Sequence, residues 1–127
     1  MGSQQLLLIV VGLIVIGLSI YAGMNMIKNY YEESNRDNII SHIYNLGINA
    51  QQYYKKMNEQ GGGGGSYLGY SIPERLKTIP SGSFESVARV DRVDFSGTGT
   101  EMGRNGFSEI RVTARVDKNG IKITIVN

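Results

Sequence analysis

Residues 6–24 read LLLIVVGLIVIGLSIYAGM. Every position is apolar, glycine or small, and Ser19 is the most polar. As a helix this run spans about 28 Å, close to the thickness of a bilayer's hydrocarbon core. It is apolar all round, so it needs lipid or other chains as neighbours. The competing reading is a cleaved secretory signal, which would need a basic start and a small-residue cleavage site. Neither stands out, since residues 1–27 carry no charged side chain.

The pattern then changes without a break. Between Ile27 and Met57 there is no proline and one glycine, Gly47. Ile39, Ile43, Leu46, Ala50, Tyr53 and Met57 recur at alternating steps of four and three, which marks one face of a helix. Ser41, Asn45, Asn49, Gln52 and Lys56 fill the other side. The simplest reading is one helix from Gln4 to Gln60, about 85 Å long. Ser34–Asp37 resembles a helix start, so a kink or a second helix there is an open alternative. Only the second half of such a helix can pack on the rest of a 127-residue chain.

Gly61–Gly65 should close the helix and form a pliant linker. Residues 66–83 contain Pro73 and Pro80 and read as an irregular connection, with a short turn at Glu74–Lys77. Residues 84–127 read as strands. In Phe84–Phe95 the apolar alternation slips near Asp91–Arg92, which a bulge would reconcile. Ile110, Val112, Ala114 and Val116 share one side of the next strand, and Ile121, Ile123 and Ile125 one side of the last. Asn119-Gly120 between them is a hairpin signal. A two-residue loop there pairs Val116 with Ile123 and Ala114 with Ile125.

The fold class expected is therefore α+β, in four segments. Residues 1–27 form an apolar helix and 28–60 its amphipathic continuation. Residues 61–83 are a glycine-rich linker and loop, and 84–127 a three-stranded antiparallel meander. The helix stripe Ile39, Ile43, Leu46, Ala50, Tyr53 and Met57 should cover Ile110, Val112, Ala114, Val116, Ile123 and Ile125.

This layout resembles the type IV pilin superfamily. The specific likeness lies in the first 25 or so residues, and the rest is likeness of plan. The resemblance implies a subunit that waits in the inner membrane and then assembles into an extracellular filament, with a role in adhesion, motility or attachment. Its partners would be copies of itself, a prepilin peptidase and a pilus assembly platform. With Met1 as the mature and often methylated first residue, Gln5 falls where the family usually has glutamate. Ala22 and Gly23 stand where it often has proline, and the chain has no cysteine for the disulfide-bounded loop of many pilins. Filament assembly would then involve Met1, Gln4, Gln5, Leu6, Leu7, Leu8, Ile9, Val10, Leu13, Ile14 and Ile16. Gly12, Gly17 and Gly23 would allow close helix approach or local stretching.

Other classes have little support. Thirteen basic and eleven acidic residues are interspersed, for a net charge of +2, without the basic stripe of a nucleic-acid binder. His42 is the only histidine, and no nucleophile–base arrangement, metal spacing or cofactor motif accompanies it. SGTGTEMGRNG at 96–106 lacks the ending of a phosphate loop and reads as a flexible connection. The rival readings are a minor pseudopilin of a secretion machine and a non-polymerising single-pass protein that displays a binding domain.

Overall fold

A computed structural model describes residues 2–127. The chain is α+β: a long helix, α1 (Gly2–Lys55), a 3-10 turn (Asn58–Gln60), a one-turn helix, α2 (Glu74–Lys77), and five strands. The strands are β1 (Thr78–Ile79), β2 (Gly82–Ala88), β3 (Arg92–Met102), β4 (Glu109–Asp117) and β5 (Gly120–Ile125). They form one antiparallel sheet in sequence order. Contacts divide the chain into two compact units, Met1–Tyr31 and Glu32–Asn127.

In the second unit α1 lays Ile39, Ile43, Leu46 and Ala50 against Phe84, Val93, Phe95, Ile110, Val112, Ala114 and Val116, all buried. Tyr67, Tyr70 and Ile72, from the loop after the helix, complete this core. Glycine decides how closely helix and sheet approach. A Cβ on Gly97 would stand 2.8 Å from both Ile39 Cγ2 and Ile43 Cδ1. One on Gly99 would strike the amide of Asn35. Gly97 and Gly99 thus leave a flat pad on β3 for the first turns of the packed helix.

The sheet corrects the expected meander from three strands to five. The parity slip near Asp91 is a hairpin between β2 and β3 rather than a bulge, closed where Arg89 N–H donates to the Arg92 carbonyl at 2.7 Å. Most of the expected glycine-rich loop is strand: β3 runs on to Met102, and the loop begins only at Gly103. The last hairpin is displaced by two residues. Val116 pairs with Ile121, Ala114 with Ile123 and Val112 with Ile125. Asp117 is the reason, since its Oδ1 accepts from the Asn119 and Gly120 amides at 2.8 and 3.1 Å and places the turn at Lys118–Asn119. An even displacement keeps the apolar faces together.

The helix runs unbroken through Ser34–Asp37 and ends at Lys55, short of the expected Gln60. The glycine tract folds back onto the helix end. Gly62, Gly63, Gly64 and Gly65 N–H groups donate to the carbonyls of Met57, Tyr53, Lys56 and Tyr54, at 2.8 to 3.0 Å. Tyr53 and Tyr54 lie in the last turn of the helix, whose carbonyls have no following turn to bond, and Lys56 and Met57 come just after it. Gly64 and Gly65 take φ of 57° and 91°, where a side chain is strained. The tract is a cap, not a pliant linker. Two packing assignments change with these boundaries. Met57 lies beyond the helix in extended conformation and is 65% exposed. Ile125 is 41% exposed at the open edge of the sheet. Tyr53 and Ile123 are partly buried against the core.

Gly97→Val should lower unfolding free energy by about 1–3 kcal/mol, the usual range for overpacking. The measurement is the denaturant midpoint of the full chain in detergent. An unchanged midpoint would mean the helix is not seated on this pad.

Candidate assembly surface

The first unit is dominated by the apolar run from Leu6 to Met24. Leu6, Leu7, Leu8, Ile9, Val10, Leu13, Ile14 and Ile16 are all exposed, as are Gln4 and Gln5. No Cβ built on Gly12, Gly17 or Gly23 would meet an atom within 4 Å, and the helix passes through all three without interruption. Met1 lies outside the described residues. Intrahelical bonding leaves few free backbone polar groups, the condition for entering hydrocarbon. Even Ser19 is satisfied, its Oγ donating to the Val15 carbonyl at 2.8 Å. By length and composition α1 can cross a membrane.

The second unit begins with polar groups that periodicity did not flag. Asn35 and Arg36 are buried on α1. Asn35 Nδ2 donates to the Ser81 carbonyl at 2.9 Å and to Thr100 Oγ1 at 3.3 Å. Its Oδ1 accepts from the Thr100 amide at 3.2 Å. One side chain thus ties the helix to β3 and to the turn before β2. Arg36 pairs with Glu32 at 2.6 Å, one turn back. The sequence signal was SNRD, which resembled a helix start. Its Asn does bond to backbone, but to backbone of the sheet.

His42 serves packing. Its ring centroid is 4.5 Å from that of Phe84, and Nε2 is 3.2 Å from the Leu76 carbonyl, to which it donates when protonated there. Among the described residues no group of three acidic or histidine side chains is placed to hold a metal. Four of the tyrosines also pack: Tyr54 stacks on Tyr67 at 4.6 Å, and Tyr70 meets Tyr53 and Phe95 edge-on. Burial pushes the Tyr70 phenol up to about 12. Burial, with smaller effects of Tyr54 and Asp117, also raises Tyr67. Tyr70 donates to Asn49 Oδ1 at 2.9 Å.

No protein-family model, curated protein or solved structure matches the chain.

The Tyr70 environment sets an alkaline limit on the second unit. The fold favours the neutral phenol, so its contribution is complete below the unfolded value near 10 and is lost as pH rises from there to about 12. Across that window stability should fall by up to about 1.4 kcal/mol per pH unit from this one group. Tyr70→Phe should remove that part of the slope, read by denaturant unfolding at stepped pH. An identical slope in the variant would count against the assignment.

Proposed function

We propose that the chain is a structural subunit of an extracellular type IV pilus-like filament that polymerises through its apolar N-terminal helix. One observation carries the reading. The apolar side chains from Leu6 to Ile27 are exposed among the described residues, although they belong to the same helix that supplies the core of the second unit. Each Leu, Ile or Val buried contributes roughly 1.5–3 kcal/mol, so about a dozen give a drive of tens of kcal/mol toward lipid or neighbouring helices before ordering costs. A membrane holds such a helix before assembly. A stack of parallel copies offers every copy the same neighbours, and a screw rotation that does not close gives a fibre.

The surface of the helix supports close stacking. Gly12, Ser19 and Gly23 fall along one line, because a helix brings positions i, i+7 and i+11 to the same side. Small residues in line let a second helix backbone approach. Gln4 and Gln5 add amides near the start of the helix, able to bridge to a neighbour's backbone or terminal amine. The reading is that of a structural protein.

Shearing cells that produce the chain, pelleting the fibres and identifying the chief component by mass spectrometry tests the proposal. The chain should be the main component, and its N-terminal peptide would report the first residue and its methylation. Recovery only as a monomer from detergent-solubilised membrane would instead favour a non-polymerising anchor. Ser19→Leu keeps the helix apolar while filling the line of small residues. It should leave the membrane pool unchanged and cut the sheared fibre yield at least tenfold.

A further inference from the structure

The two edges of the sheet are unequal. β1 is a two-residue strand, whereas β5 has six residues and pairs on one side only. The Val126 amide donates to the Arg111 carbonyl at 3.0 Å, which turns even-numbered amides of this strand toward β4. By the alternation of an antiparallel ladder, the N–H and C=O groups of Ile121, Ile123 and Ile125 face outward. Among the described residues no loop or side-chain bond reaches them. Their side chains lie on the helix-covered face but at its margin: Ile121 and Ile123 are half-buried, and Ile125 is exposed. Tyr44 and Ile48, on the helix turn that carries Gly47 over Ile121, are 50% and 37% exposed. Proteins usually blunt such an edge with proline, a bulge or an inward charge. β5 has none of these three, and its one charged residue, the exposed Lys122, alternates with the isoleucines.

We propose that β5 pairs antiparallel with β5 of a second copy of the chain. The sequence Ile121-Lys122-Ile123-Thr124-Ile125 is self-complementary about Ile123. A two-fold axis there sets Ile123 against its own copy and Ile121 against Ile125. It sets Lys122 against Thr124, so the two lysines are never opposed. The outward backbone groups of the three isoleucines then bond in pairs, as the ladder requires. The isoleucines of both copies form one apolar stripe beside the exposed Tyr44 and Ile48. An axis at Lys122 would set the two lysines opposite one another, and like charges directly opposed are destabilising. The contact is isologous and closes as a dimer. Its axis is perpendicular to the sheet, so the two helices cross the joined sheets in opposite directions. The pairing therefore joins copies that face one another, not neighbours in one polar row. It does not depend on the filament reading.

The chain has no cysteine, which permits a direct test. In this register Lys122 and Thr124 form a non-hydrogen-bonded pair across the seam, with Cα atoms about 4.5 Å apart, inside disulfide range. Full-length Lys122→Cys and Thr124→Cys chains are oxidised separately and mixed, in detergent, where copies are free to orient. The mixture should form disulfide-linked dimers at least tenfold faster than either variant alone. Equal rates, or none, would overturn the pairing whether or not the chain forms filaments. Ile123→Pro removes the amide at the axis, at an edge position where the strand does not need it for its own sheet. In that background the advantage of mixing should vanish, and its persistence would also overturn the proposal.

Discussion

The contact between Ile39, Ile43 and the bare backbone of Gly97 organises the second unit. Isoleucine is bulky and stiff, so two of them one helical turn apart can lie close to a sheet only where side chains are absent beneath them. With that seat in place, Leu46 and Ala50 reach the inner faces of the central strands. Asn35 comes within hydrogen-bonding distance of β3, and the tyrosines of the following loop close the remaining gap. Helix and sheet each present one apolar face, and neither has another surface to bury it on.

The first unit obeys the opposite constraint. Its apolar run from Leu6 to Met24 has no polar face to turn outward, and on the proposed reading lipid or another apolar helix covers it. On that reading, one helix separates the work of folding from the work of association. In Glu32–Asn127 every strand is hydrogen-bonded to its neighbour in sequence, and the helix closes the core over the sheet. The apolar stretch is left for the environment to satisfy.

Much of this was legible in the residues. The steps of four and three from Ile39 to Ala50 identified the buried helix face, and the alternation from Ile110 to Val116 identified the strand that meets it. Both signals are strong because each face borders a single core. What was not legible turned on glycine and on short polar side chains. Gly97 and Gly99 looked like a loop, since glycine weakens a strand unless another element presses on it, and that pressure comes from residues some sixty positions away. Asp117 moved the last turn by capturing two amides, a local bond that the Asn-Gly pattern outweighed in reading. Met57 continued the helical period, but the period says nothing about where the backbone finds a better partner. The burial of Asn35 had a weak trace in the sequence, and its partners on the sheet had none. For the apolar surface the sequence supplied composition and length, and the proposed assembly would be a property of several chains together.

The five glycines after the helix carry a last consequence. A run of this kind is usually treated as slack, free to vary in length. Here successive amides are matched to particular carbonyls of the helix end, and two residues further on Tyr67 N–H reaches the Val90 carbonyl at 3.1 Å. The tract is a measured length of chain. One glycine more or fewer would put these bonds out of step and draw Tyr67 away from its place in the core, although no side chain would have changed.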